Sequence, residues 1–286
     1  MDGGKPSLPV TETTSTPSTR NLMLRIASAA VLAPLAIGAA WMGGWPFTLF
    51  WAVAAVAVWW EWIGLVEPTG RNVLLATGVC ALALQAVLFE TGNPSIAIMI
   101  VALGVLAGIV TAGRAAPAVA GGLVYASALL MAAAIVRSDA TYGFAAILFL
   151  FAVVWGTDIG GYFAGRAIGG PLLAPRISPK KTWSGAMGGT VVGVAAAIAV
   201  AEMFAIRNLA VLGMVALVLS VASQCGDLFE SWLKRRFDAK DASSLIPGHG
   251  GVMDRLDGFI FAVAAAAIIG VARGGFDAPA AGFLVW

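Results

Sequence analysis

The densest chemistry in this sequence lies between Gly226 and Gly258. Asp227, Ser231 and Lys234 recur at helical spacing, so a carboxylate, a hydroxyl and an ammonium share one helix face over two turns. Arg235, Lys240 and Asp241 follow, and then Gly248, Gly250 and Gly251 surround His249, the single histidine of the chain. Glycines admit left-handed backbone and close approach to a ligand, and successive N–H groups in such a turn make an anion-binding concavity. Asp254, Arg255 and Asp257 end the segment, with the two acids three residues apart on one helical face. Acids at a helix start also favour the helix dipole, and a lone histidine is more often structural than a ligand. Taken together, the acids make a hard oxygen site. Magnesium binds one or two carboxylates and completes its octahedron with water and phosphate oxygens. Asp227 and Asp254 are expected to clamp the ion from adjacent helices, with Asp257 and Asp241 as further candidates.

A second constellation begins at Trp155 and carries Asp158, Gly161, Gly165 and Arg166. A carboxylate in a bilayer costs about 2.5–3.5 kcal/mol on insertion scales, so Asp158 is expected to face a cavity or a partner. Gly161 and Gly165 form a small-xxx-small pair suited to close helix packing. Ser178, Lys180, Lys181 and Thr182 then place two hydroxyls and two cations within five residues, a pattern that suits a phosphate-bearing ligand. Positive-inside anchoring would use Lys180 and Lys181 equally well.

These groups are embedded in a chain that is 60% hydrophobic and only 11% charged. Soluble domains carry about 25% charged residues, so lipid must solvate much of this exterior. The apolar runs do not alternate with period two, which excludes a lipid-facing barrel. They fall near 22–41, 45–66, 73–89, 95–111, 117–136, 143–163, 184–205, 209–226 and 258–272, each close to the ~20 residues needed to cross hydrocarbon. The expected fold class is an all-α, polytopic membrane bundle of about nine helices. Residues 1–20 are rich in Ser, Thr, Pro and Gly and read as a disordered tail, leaving 21–286 as the membrane domain. Leu228 with Trp232, and Phe229 with Leu233 and Phe237, give the segment after Gly226 an apolar face that predicts a helix lying along the membrane surface. Cys80 and Cys225 sit in apolar runs and read as inert buried thiols.

With the N-terminus inside, only Arg137, Arg207 and Arg273 of the 17 basic residues fall on the outer side. Most of the inner excess belongs to the two polar segments, so both lie at the same, cytoplasmic face. The net charge of +2 implies no nucleic-acid partner.

The run Ser231-x-Leu-Lys-Arg, Lys240-Asp-x-Ser and Ile246-Pro-x-His-Gly-Gly-Val-x-Asp-Arg-Leu-Asp257 resembles the long signature of the phosphatidate cytidylyltransferase (CDP-diacylglycerol synthase) family. Gly226–Ser231, Trp155–Arg166, Ser178–Trp183 and Glu61-Trp62 are similar to that family as well. Ser184 stands where the family more often has Glu or Gln, and Gly258 where it often has Ser. The resemblance implies transfer of CMP from CTP to phosphatidate, giving CDP-diacylglycerol and pyrophosphate. It implies one or two magnesium ions, with a monovalent cation such as potassium as an addition, a bacterial inner-membrane location and a homodimer. On that reading Asp227, Asp254, Asp257 and Asp158 hold metal, and Lys234, Arg235, Lys240 and Arg255 hold phosphates. Gly248, His249, Gly250 and Gly251 cradle the triphosphate, and Ser178, Lys180, Lys181 and Thr182 close the site. A CTP-using lipid kinase would share these parts but attack the γ-phosphorus. An ion-coupled transporter would use Asp158 and Glu61 and need no nucleotide.

Overall fold

The computed structural model describes residues 19–66, 68–243, 245 and 250–286. The tail expected at 1–20 therefore lies outside the described residues except for its last two positions. These open the first helix, α1 (Thr19–Met42). There follow α2 (Gly44–Val66), α3 (Arg71–Glu90), α4 (Pro94–Thr111), a single 3-10 turn at Gly113–Ala115, α5 (Ala116–Ser138) and α6 (Gly143–Ile168). A hairpin of β1 (Leu172–Ala174) and β2 (Ser178–Thr182) leads to α7 (Trp183–Met203), α8 (Leu209–Arg236), α9 (Met253–Gly274) and the short α10 (Pro279–Leu284). Among the described residues, 8 helices are long and apolar enough to cross a membrane, and α1 adds a shorter apolar stretch at Ser28–Met42. The protein is a multi-pass helical membrane protein.

Punctuation in the sequence sets the helix ends. Pro94 and Pro117 stand in the first turns of α4 and α5, where a missing N–H costs nothing. Gly169 (φ 65°) and Gly170 (φ 105°) turn the chain out of α6, a geometry that residues with a Cβ rarely adopt. Thr182 caps α7, its side-chain oxygen accepting the Gly185 N–H at 3.1 Å.

Buried aromatics fill the centre: Trp51 of α2 stacks on Phe259 of α9 with ring centroids 4.7 Å apart, and Phe151 of α6 packs against the same ring. The outer surface is apolar too, with Leu35, Val53, Leu106, Val191, Met214 and Ile268 all exposed, as lipid contact requires. Cys80 and Cys225 are free but exposed, not buried as expected, because the outer faces of these helices are solvated by lipid.

The closest helix pair is α6 with α7. A Cβ at Gly189 would meet the Thr157 carbonyl oxygen at 2.5 Å, and one at Gly165 would meet the Gly185 Cα at 3.4 Å. Gly161 and Gly165 thus do face a neighbouring helix at close range. Across this contact runs a hydroxyl network. Thr157 and Ser220 lie 2.8 Å apart, Ser220 donates to Thr190 at 3.3 Å, and Gln224 donates to Thr190 at 2.9 Å. It locks α6, α7 and α8 in register directly below the polar segments.

Two local expectations are corrected. The polar segment after Gly226 is no separate surface helix: α8 runs unbroken through it for 28 residues. Part of its apolar face packs against protein, with Phe229 against Trp62, Tyr125 and Phe261, while Trp232 stays exposed. The segment at 172–182, where an all-α fold has no strand, is an antiparallel hairpin pairing Leu172 with Thr182 and Ala174 with Ser178.

Candidate active site

Helices α6, α8 and α9 and the hairpin bring their charged residues to one end of the bundle. Gly226 and Gly258 let α8 and α9 meet with almost no separation: a Cβ at Gly258 would meet Ser223 Oγ at 2.5 Å, and Gly226 lies against the Asp257 carbonyl oxygen. Asp227 is thereby set beside Asp257. Asp158 of α6 joins them, so that Asp158, Asp227 and Asp257 lie within electrostatic reach of one another. Lys181 reaches in from β2 to form an ion pair with Asp227, and Arg255 lies within reach of Asp158. Three carboxylates thus gather beside two cations. Hard oxygen donors of this kind suit a divalent cation of the magnesium type. Among the described residues, no three acids, histidines or cysteines already stand in metal-binding geometry.

A second knot lies further along α8. Lys234 contacts Glu230 Oε2 and Asp254 Oδ1, both at 2.6 Å. Asp254 also accepts the backbone N–H groups of Ala242 at 3.1 Å and Gly251 at 2.7 Å. It therefore ties both ends of the α8–α9 connection to α8. Lys234 is seven residues beyond Asp227, or ~10 Å at 1.5 Å per residue. The structure joins Asp227 to Asp257 and Asp158 and joins Asp254 to Lys234. Asp254 meets Lys234 through Oδ1 and the Gly251 N–H through Oδ2.

The glycine turn also has a structural occupant. Gly250 is left-handed (φ 84°), as its residue type implied, but its close approach is to Asp254: a Cβ there would meet Oδ2 at 2.9 Å. Gly251 lies against Glu61, where a Cβ would meet Oε1 at 2.7 Å. Gly248 and His249 lie outside the described residues.

Glu61 and Glu230 are the site residues to which sequence reasoning gave no role there. Glu61, buried in α2, accepts the N–H groups of Val252 at 2.8 Å and Met253 at 2.7 Å and the Ser243 hydroxyl at 2.6 Å. It caps α9 from another helix, satisfying donors that the helix itself leaves unpaired. Glu230 is buried, and its Oε1 has no hydrogen-bond partner. For Glu61 the available signal was cost, because an acid amid apolar sequence requires a partner, whereas Glu230 stands among the charged residues of its segment and its burial left no mark in the sequence.

The other candidates are placed as follows. Ser178 is half-buried in β2, while Lys180 beside it is exposed. Thr182 is engaged as the α7 cap, and Ser184 braces it at 3.0 Å while donating to the Gly169 carbonyl at 2.5 Å. Ser231 is half-buried on α8. Arg235, Lys240 and Asp241 are exposed at the rim, with Arg235 donating to the Ala239 carbonyl at 3.4 Å. Arg255 is exposed at the start of α9.

A model of the cytidylyltransferase family matches residues 23–272. The chain is 41% identical over 274 residues to the phosphatidate cytidylyltransferase of Brucella suis biovar 1 (strain 1330), covering 92% of this chain and 98% of that one. The same figures hold for the phosphatidate cytidylyltransferase of Brucella melitensis biotype 1. Against the phosphatidate cytidylyltransferase of Bacillus subtilis (strain 168), identity is 42% over 131 residues, 44% of this chain and 47% of that one. With acids and cations gathered at one end of a membrane bundle, and a match running nearly end to end, the chain belongs to the cytidylyltransferase family, as a multi-pass membrane nucleotidyltransferase.

Proposed function

We propose that this protein is a CTP:phosphatidate cytidylyltransferase of the bacterial inner membrane, working as a homodimer with its N-terminus and polar segments at the cytoplasmic face. A phosphate oxygen of phosphatidate attacks the α-phosphorus of CTP. The bond from that phosphorus to the bridging oxygen breaks, CDP-diacylglycerol forms and pyrophosphate leaves. The observation that carries this reading is the Asp158–Asp227–Asp257 cluster with Lys181, gathered at one end of the bundle in a chain so similar to named phosphatidate cytidylyltransferases.

The lipid phosphate is already an anionic nucleophile near neutral pH, so the site needs no strong general base. Its task is positioning and neutralisation of charge along an in-line path. Lys180, Arg235, Lys240 and Arg255 are exposed cations suited to the triphosphate oxygens. Lys181 holds the Asp227 carboxylate in place from the hairpin. Lys234 and Asp254 hold the α8–α9 connection against the site. Asp227, Asp257 and Asp158 would hold magnesium, with a monovalent cation such as potassium beside Asp158; bound there, the ions neutralise charge on the attacking and leaving oxygens.

The test is product analysis with purified protein, phosphatidate, magnesium and CTP labelled at one phosphorus. Label from the α-position is expected in the lipid fraction, with release of unlabelled pyrophosphate. Lipid that carries γ-label instead, or no labelled lipid at all, overturns the proposal.

A further inference from the structure

On the face of α8 turned away from the acids, a groove of about 1010 Å³ opens between α2, α5, α8 and α9. This is at the upper end of the ~300–1,000 Å³ of small-molecule sites. Its α8 wall is Phe229, Trp232, Leu233 and Arg236. At 100° per residue these lie opposite Asp227, Ser231 and Lys234. The lining is almost wholly apolar, apart from two cations at one end. Arg114 sits in the 3-10 turn before α5, and Arg236 is the last residue of α8. Both helix ends belong to the same membrane face as the candidate site. Both arginines are exposed, and among the described residues neither is in an ion pair. From Arg236 the groove continues to Ala222, 14 residues back along α8, or ~20 Å. One leaflet of hydrocarbon is ~15 Å, half of the bilayer core.

A long apolar trough ending in two guanidinium groups matches a diacyl lipid with a phosphate head. The tails cover the apolar wall, and the two forks take the phosphate oxygens. The rings of Trp62, Tyr125, Phe229 and Phe261 form the inner wall of the groove, with Tyr125 and Phe229 centroids 5.7 Å apart. A lipid in the groove therefore lies against the face of α8 opposite Asp227. A second copy of the chain is a poorer occupant. A second copy seated here would bring two more arginines to the same membrane face, and the groove lining offers no carboxylate to pair with any of them.

We infer that the α2/α5/α8/α9 groove is a second lipid site, which holds a non-reacting anionic phospholipid of the surrounding bilayer. The bound lipid braces α8, the helix whose other face carries Asp227. The experiment is native mass spectrometry and thermal denaturation of the purified full chain in neutral detergent. The probes are phosphatidylglycerol, phosphatidylcholine and phosphatidate, and neither readout requires turnover. Phosphatidylglycerol is expected to remain bound and to raise Tm, whereas phosphatidylcholine does neither. Arg114→Gln/Arg236→Gln should lower phosphatidylglycerol retention at least about tenfold. Val124→Trp, which fills the trough and leaves both arginines in place, should lower it as well. Unchanged retention in both variants, or equal retention of phosphatidylcholine, overturns the inference. So does retention of phosphatidate alone, which would make the groove a substrate vestibule. An intermolecular disulfide between Val124→Cys chains in the membrane would assign the groove to a second copy and overturn it likewise.

Discussion

Asp227 and Asp254 carry the same chemical group, yet their surroundings assign them different tasks. Asp227 belongs to a cluster of like charges, and its ion pair with Lys181 is between side chains 35% and 27% exposed. Exposed pairs contribute about 0–1 kcal/mol, so Asp227→Asn should leave Tm nearly unchanged. Turnover should fall on the order of 10²-fold or more, as when one preorganised charge-stabilising group is removed. Asp254 accepts from Lys234, Ala242 and Gly251, so Asp254→Asn should lower both turnover and Tm. Steady-state assays beside thermal denaturation in detergent separate the two outcomes. Equal loss of stability in both variants would refute the division. Glu61 makes a purely structural forecast. Glu61→Ala leaves the Val252 and Met253 N–H groups without an acceptor and should destabilise by about 2–3 kcal/mol, read as a lower Tm. The types of these residues were visible in the sequence, and so was the expense of acids amid apolar runs. Their pairing was not. Spacing along one helix puts Asp254 and Asp257 on a common face, but only the meeting of α8 with α9 decides that Asp257 neighbours Asp227 and Asp254 neighbours Lys234.

The apolar run at 45–66 becomes α2 at Gly44–Val66, and the run at 95–111 becomes α4 at Pro94–Thr111. Hydrophobic length fixes these elements because the bilayer demands it. Where chemistry interrupts the hydrocarbon pattern, the same reasoning stops short. Helix α8 extends to Arg236, ten residues past the end of its apolar run, because its polar end is held by Lys181, Asp254 and the ring cluster around Phe229. Helix α9 starts at Met253, ahead of its apolar run, because Glu61 caps it. The hairpin before α7 escaped notice because its strands, of three and five residues, are too short to show a period. The α6–α7 seam supplies the element-scale forecast. Gly189→Leu must push the helices apart where a Cβ already meets backbone at 2.5 Å, and should destabilise by about 1–3 kcal/mol. At Gly213 the nearest atom to a new Cβ is 3.7 Å away, so Gly213→Ala should keep or raise Tm. A Tm series over the two variants checks both signs.

At the scale of the whole molecule, the proposed orientation rests on the distribution of basic residues and is open to labelling. In a cysteine-free background, Lys180→Cys should react with a membrane-impermeant maleimide in inside-out vesicles and stay protected in intact spheroplasts. Reaction from the outer side would reverse the assigned topology.

Because the bundle turns an apolar belt outward, it shares a two-dimensional solvent with any phospholipid it handles. Phosphatidate must then be counted as a fraction of the film around the protein, and its molarity in the tube is the wrong variable. Adding inert detergent at fixed amounts of enzyme, phosphatidate and CTP spreads the film without diluting the nucleotide. Below saturation, halving the mole fraction of phosphatidate in mixed micelles should about halve the initial rate, while doubling the buffer volume at constant micelle composition and constant CTP should leave the rate per enzyme unchanged.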